Sequence, residues 1–405
     1  MANENLVIDN WKRETVLGSG AFGVISLWRN VQTNEKIALK QCKWAVTGSQ
    51  KDNQKEVINA ITPKHKERWK QEVQIMYQLD HPNVVKAIEV PEVLEVSSID
   101  LPSLGMEYCS GGDLRQVLNK PENVCGLHET PVRNILSQIS SAVLYLHSHR
   151  IIHRDLKPEN IIIKPQSNGD LVYKLIDLGY CKQLDQSSLC NSFVGTLQYL
   201  APELFISKNY TSLVDYWSFG LLAHEIITGK RPFLPHLSPT QWIPIVSRKK
   251  SEDICAIHDV KTGKVSFSKE ISTFNQISKT LKEKLEIWMR TVVEFDPTKR
   301  QKDAFIQLSN ILEKVMIRVF VVNSLEFFSY EITRETRLNE LKILIDSNTK
   351  ISPKDQLLMI PSLDDTSEKL IIGDEFVESA LTCLFDKMVA KKKLSITCYL
   401  IDRSK

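Results

Sequence analysis

The first residues, MANENLVIDNWKRE, lack a charged-then-apolar leader, and no run of about 18 uncharged apolar residues follows anywhere. Neither a secretory signal nor a bilayer-spanning helix is expected. The eight cysteines never form a CxxC pair, which argues against a zinc site or a disulfide framework and for reduced thiols. A formal net charge of +3, set against 52 basic and 49 acidic side chains, creates no overall basic field of the kind nucleic acid requires. The expectation is an intracellular chain, cytoplasmic with possible access to the nucleus, that binds neither nucleic acid nor membrane.

What is there is enough for two or three packed domains: 405 residues, 42% of them hydrophobic. Residues 11–45 read as short β-branched runs punctuated by glycine, and KERWKQEVQIMYQL (66–79) sets Trp69, Val73, Met76 and Tyr77 at helical spacing. From about residue 131 helical patterns dominate, interrupted by strand-like IIHRDL and YKLIDLG. This predicts an α+β, bilobal chain, with a β-rich lobe over about 8–109 and a helical lobe over about 110–312. The polar segment 46–65 reads as an exposed loop that Pro63 keeps from continuing as helix. After about 313 the texture changes: MIRVFVVN and EFFSYEI alternate as a hairpin, LNELKILIDSNT reads as helix and ISPKDQLLMI as a further strand. A compact α+β unit is expected over 316–386, and residues 387–405, with Lys391, Lys392 and Lys393, as a divergent, solvated basic tail.

GSGAFGVI carries Gly18, Gly20 and Gly23 as GxGxxG, a weak signal alone because dinucleotide sites share it. A dinucleotide fingerprint opens a helix, whereas here Val24 and Ile25 continue as a strand toward IALK and Lys40. Glycines let backbone close over phosphates, and Lys40 supplies them a point charge. IIHRDLKPEN then sets His153, Arg154, Asp155, Lys157 and Asn160 in HRDxxxxN spacing, and Asp177 of IDLG follows Asn160 by seventeen residues. Phosphoryl transfer needs oxygen ligands for magnesium, a carboxylate near the acceptor hydroxyl and cations on the phosphates, and these residues meet each need. APE, ending in Glu203, then Asp215 in DYWSFG and Arg231 in KRPF complete the set.

With these motifs, residues from about 8 to 312 resemble a eukaryotic serine/threonine protein kinase. The resemblance implies ATP and Mg2+ as cofactors. It makes Lys40 the anchor of the phosphates, Glu72 its partner in preference to Glu67, Asp155 the catalytic base, Lys157 a stabiliser of the transferring phosphate, and Asn160 and Asp177 the metal ligands. Met106 becomes the gatekeeper, with Glu107, Tyr108 and Cys109 as the hinge, and Leu17, Ile25 and Ala38 as further nucleotide contacts. Arg154, Glu203, Asp215 and Arg231 take structural roles. Two departures stand out: Leu178 replaces the usual Phe after the metal-binding Asp, and the interval from Lys40 to Glu72 is long, which places an insertion in the 46–65 loop.

Within kinases, DLGYCKQLDQSSLCNSFVGTLQYLAPEL, MEYCSGGDLR, YTSLVDYWSFG and TGKRPFLP resemble the IκB kinases of the alpha/beta catalytic type, in a short or truncated form. IκB-kinase-related enzymes differ in the segment before APE and are the alternative family; a scaffold without catalysis is the alternative function. The resemblance implies IκB-type protein substrates in NF-κB signalling and a ubiquitin-like β-grasp domain over 316–386. It also implies activation by phosphorylation of Ser188 and Ser192, whose charge would meet Arg154, while Ser187 has no family counterpart. The family pairs with another IκB kinase subunit and a NEMO-type adaptor. The last residues here, MVAKKKLSITCYLIDRSK, resemble neither the dimerisation scaffold nor the adaptor-binding tail, which leaves both partners in doubt.

Overall fold

The β-branched runs at the start of the chain assemble into one antiparallel sheet. Its strands are β1 (Val7–Ile8), β2 (Trp11–Ser19), β3 (Gly23–Asn30) and β4 (Lys36–Cys42), joined after helix α1 (Pro63–Gln78) by β5 (Ala87–Ile88) and β6 (Leu104–Glu107), in the order β1-β2-β3-β4-β6-β5. The computed structural model describes residues 6–19, 23–42, 63–95, 101–177, 196–207, 210–272, 274–359, 378–391 and 394–404. The chain divides into two compact units, 1–119 with 138–218 and 120–137 with 219–405.

In the first unit, strand alternation sorts the side chains. Trp11, Trp28, Ile37, Leu39 and Leu94 form a core on one face of the sheet. Residues one step away fall on the other face: Ile25 pairs with Lys40, and Ala38 with Met106. Helix α1 begins at Pro63, where a missing N–H costs nothing because the first turn has no intrahelical acceptor for it. It buries Trp69, Val73 and Met76, but Tyr77, expected in the same row, is 47% exposed and donates its hydroxyl to Ile88 O at 3.0 Å. One residue past Met76 turns the side chain about 100° away. Helix α2 (Leu114–Leu118) is capped by Asp113, which accepts from Gln116 N. Helix α3 (Glu129–Ser148), whose first residues belong to the second unit, precedes the hairpin β7 (Ile161–Pro165) and β8 (Leu171–Leu175), and then come α4 (Glu203–Ile206) and α5 (Leu213–Thr228), which runs on into the second unit.

The second unit continues with α6 (Pro239–Val246), the hairpin β9 (Cys255–His258) and β10 (Val265–Ser268), α7 (Lys279–Val292) and α8 (Ala304–Leu312). Phe219 meets Trp288 and Phe305 edge-on, with ring centroids 5.9 and 5.0 Å apart. The chain then enters β11 (Val315–Val321), β12 (Glu326–Ile332), α9 (Leu338–Thr349), β13 (Gln356–Met359), α10 (Glu378–Ala390) and β14 (Ser395–Asp402). These four strands form a mixed sheet ordered β12-β11-β14-β13, with β11 and β14 parallel. Ile317, Val319, Ile345, Met388 and Leu400 share its core.

The expectation of a divergent tail after residue 386 is overturned here. Helix α10 runs through that boundary, and β14 is an inner strand, hydrogen-bonded to β11 on one side and β13 on the other. The alternation of Ile396, Cys398 and Leu400, all buried, drives it inward. Of the lysine triplet, Lys392 and Lys393 lie outside the described residues. Within this unit the sheet is tied to the helices before it. Lys284 and Lys314 each reach Glu331 at 2.9 Å, and Thr280 donates to Ser329 O. Arg133, buried against Glu129, donates to the carbonyls of Leu312 and Lys314 at 2.7 and 3.1 Å.

Candidate active site

The face of the first sheet that carries Ile25, Ala38, Lys40 and Met106 walls a cavity of about 500 Å³. Leu17, Gly18, Val85, Leu104, Ile162 and Ile176 complete an apolar sleeve, and Glu107, Cys109 and Asp113 line one side. Its size and apolar walls with a few polar groups suit a nucleotide base and sugar. At the other end Lys40 Nζ lies 2.6 Å from Glu72 Oε1 and 3.8 Å from Asp177 Oδ1. Glu72 is buried, whereas Glu67 is exposed and among the described residues meets Gln71, so Glu72 is the helix carboxylate that faces Lys40.

The glycines divide by role. A Cβ at Gly18 would meet nothing within 4 Å, while one at Gly23 would sit 3.0 Å from Gln41 O and 3.2 Å from the Trp69 ring. Gly23 therefore serves close packing of strand on helix, and it does not line the cavity. Gly20 lies outside the described residues.

Glu107, the last residue of β6, ties the sheet to the next hairpin. Lys164 and Lys174 reach its carboxylate at 2.5 and 2.7 Å, and Lys86 N donates to it. Burial alone would raise its pKa, but these donors outweigh it and hold the carboxyl below its ordinary value. Burial, aided by that neighbouring carboxylate, pushes the Cys109 thiol up to about 11.

The loop after α3 is built around two buried acids. Asp215, fully buried, accepts from His147 Nε2 at 2.8 Å, His153 N at 2.9 Å and Arg154 N at 2.8 Å. That anchor holds Arg154 in a left-handed backbone conformation, φ +67°. Asp155, also buried, accepts from Lys157 Nζ at 2.8 Å and Asn160 Nδ2 at 3.0 Å on Oδ2, and Asn160 Nδ2 also donates to Asp155 O. The N–H of Asp155 donates to His153 Nδ1 at 3.3 Å, so Nε2 of that ring carries the hydrogen and donates to Ile176 O at 3.1 Å. The loop is thereby pinned to the residue before Asp177, and Ile176 N in turn donates to Asn160 O.

The donor set fits a hard divalent cation. The amide nitrogen of Asn160 is committed to Asp155, leaving its amide oxygen as an acceptor, and Asp177 offers a half-exposed carboxylate. Arg154 stacks on the Tyr210 ring at 5.1 Å, and its Nε is buried with no hydrogen-bond partner among the described residues. Glu203 is buried at the start of α4, and Arg231 is half-buried in the turn after α5. Leu178, Ser187, Ser188, Cys190 and Ser192 lie outside the described residues. The motifs did not point to Arg115 or Tyr199: Arg115 binds both Glu159 and Tyr199, 44 and 84 residues away, and no spacing rule joins them.

An apolar cavity ending in a lysine–carboxylate pair, beside a loop that clasps an aspartate with a lysine and an asparagine, defines a protein kinase. Residues 11–312 match the protein kinase domain, and the chain belongs to that family. It is similar to inhibitor of nuclear factor kappa-B kinase subunit alpha of Xenopus tropicalis, at 42% identity over 390 residues, 93% of this chain and 50% of that protein. Subunit beta of Mus musculus is 42% identical over 407 residues, 98% of this chain and 50% of that protein. Subunit alpha of Danio rerio is 40% identical over 417 residues, 99% and 53% respectively. The chain spans about half the length of the curated relatives it matches.

Proposed function

We propose that this chain is a serine/threonine protein kinase that transfers the γ-phosphoryl group of ATP to serines of IκB-type inhibitors in NF-κB signalling. The observation that carries the reading is the Asp155 carboxylate clasped by Lys157 and Asn160, near a cavity whose far end holds the Lys40–Glu72 pair. ATP would supply the phosphoryl group, and Mg2+ held by Asn160 and Asp177 would balance the charge on its phosphates. Asp155 orients the acceptor hydroxyl and takes its proton, and Lys157 holds that carboxylate in place while offering a cation to the transferring group. Lys40 positions phosphates, with Glu72 fixing its ammonium. The similarity to IκB kinase alpha and beta subunits supports the substrate class. We place this activity in the cytoplasm.

We read the C-terminal sheet as a ubiquitin-like β-grasp domain, supported by its hairpin, crossing helix and parallel first and last strands. We also read Ser188 and Ser192 as switch phosphosites; the buried Nε of Arg154, which has no hydrogen-bond partner among the described residues, supports a receptor for their charge.

The test is transfer of labelled phosphate to a DSGxxS-type peptide, compared with its threonine version and with a peptide favoured by IκB-kinase-related enzymes. Asp155→Asn should lower the rate by about 10²–10⁴-fold. A wild-type chain that binds nucleotide yet transfers to none of these peptides would instead be a scaffold.

A further inference from the structure

The catalytic carboxylate has an acidic neighbour. Glu159 follows Asp155 by four residues, its side chain is 43% exposed, and it lines the cavity. An acceptor whose hydroxyl reaches Asp155 carries its flanking residues past this carboxylate. Left uncompensated, it would attract lysine and arginine. The structure compensates it from within: Arg115 Nε donates to Glu159 Oε1 at 2.8 Å, and Arg115 Nη2 donates to the Tyr199 hydroxyl at 2.5 Å. Tyr199 is buried, and its carbonyl accepts from Ser218 Oγ at 2.8 Å. The guanidinium is thus gripped from two sides, by the catalytic loop and by the segment that leads into Ala201, Pro202 and Glu203.

A second carboxylate on the cavity wall, Asp113, is hydrogen-bonded by neutral donors and, among the described residues, not by a cation. Its Oδ1 accepts from Gln116 N at 2.9 Å and its Oδ2 from Gln116 Nε2 at 2.6 Å. Of the two acids, Glu159 is the one whose charge is answered by a cation. A lysine or arginine next to the acceptor would have to displace Arg115 from Glu159 and then stand beside a guanidinium.

We propose that Arg115 determines the charge preference for the acceptor: by neutralising Glu159 beside Asp155, it favours substrates with acidic flanks over those with basic flanks. This rests on the kinase reading above and adds a specificity residue to it.

The experiment measures kcat/KM on the full chain with two peptides that differ only in carrying Asp/Glu or Arg/Lys around one acceptor serine. Wild type should favour the acidic peptide by about tenfold or more, the scale expected of charge complementarity at one site. Arg115→Gln should shift the ratio toward the basic peptide by about tenfold, mainly through KM, because the change acts on binding of the flank. Arg115→Lys should keep the sign of the preference. Glu159→Gln, which leaves the guanidinium without its carboxylate, should widen the ratio.

Ratios within about twofold of wild type in both Arg115→Gln and Glu159→Gln would overturn the inference. Should Arg115→Gln fail to fold, Glu159→Gln decides alone: a wider ratio supports the assignment and an unchanged one overturns it. No transfer by wild type to either peptide would bring down the kinase reading as well, whereas transfer with unmoved ratios would sink the specificity role alone.

Discussion

Lys40 Nζ stands 2.6 Å from Glu72 Oε1, joining the central strand of the sheet to helix α1 across 32 residues of sequence. Twenty of those residues, 43–62, lie outside the described set. The pairing holds because α1 delivers a buried carboxylate to the strand face that walls the cavity.

Replacing Glu72 by Gln keeps the shape and removes the charge. A hydrogen bond to a charged group contributes about 1.5–3 kcal/mol, so kcat/KM for phosphoryl transfer should fall by about ten- to a hundredfold. Lys40→Met should abolish transfer while leaving the thermal transition in place. Steady-state kinetics beside a melting curve checks both, and a Glu72→Gln enzyme of wild-type kcat/KM would remove the pair from the mechanism.

Asp215 is the anchor of the catalytic loop, with three donors converging on a fully buried carboxylate. Asp215→Ala should destabilise the fold by about 3–5 kcal/mol, because it leaves His147 and two backbone N–H groups without their acceptor. Urea unfolding measures the change. A midpoint shift equivalent to under about 1 kcal/mol would contradict the anchoring role.

His224 supplies a pH dependence. It is buried, Nδ1 bonds Lys230 O at 2.7 Å, and Nε2 has no hydrogen-bond partner among the described residues. Burial pushes its pKa down from 6.5 to about 4, against the smaller opposing effect of the Lys230 carbonyl. The unfolded chain therefore binds the proton first, so stability is fully present above pH 6.5 and is lost as pH falls toward 4. Each pH unit inside that window costs about 1.4 kcal/mol, or roughly 2 kcal/mol by pH 5. Urea unfolding at pH 7.5 and pH 5 should show this loss in wild type and a smaller one in His224→Gln.

Cys109 lines the cavity, but its thiol is pushed up to about 11 and stays protonated near neutral pH. Because the thiolate is the nucleophile, iodoacetamide at pH 7.5 should label Cys109 far more slowly than the exposed Cys125. Peptide mapping by mass spectrometry reads both rates, and equal labelling would mean an activated thiol.

Leu400, fully buried on β14, tests whether the last strand belongs to the core. Leu400→Ala should cost about 2–5 kcal/mol, as burial deep in a packed sheet implies. A change under about 0.5 kcal/mol, typical of surface sites, would return this segment to the status of a tail.

The proposed catalytic set was legible because phosphoryl transfer demands particular side chains at short, fixed intervals. Asp155, Lys157 and Asn160 sit in one loop, where spacing alone sets their distances. Glu72 was separable from Glu67 by helical phase, which the 3.6-residue repeat encodes locally. The hairpin β11–β12 and helix α9 were legible from period-2 and period-3.6 patterns in the same way. By itself, then, the sequence determined which candidate groups stand at these intervals and in what order they occur.

Other assignments required the fold. That β14 pairs with β11 and β13, that Tyr77 turns outward and that Gly23 makes room for Trp69 depend on neighbours far along the chain. The same holds for Arg115, which meets Glu159 and Tyr199 only because α2, the catalytic loop and the segment before α4 converge. Periodicity reports which face a residue takes, but not what stands opposite it. The tertiary structure alone decided which charges around Asp155 are answered from within the protein and which are left for a substrate to meet.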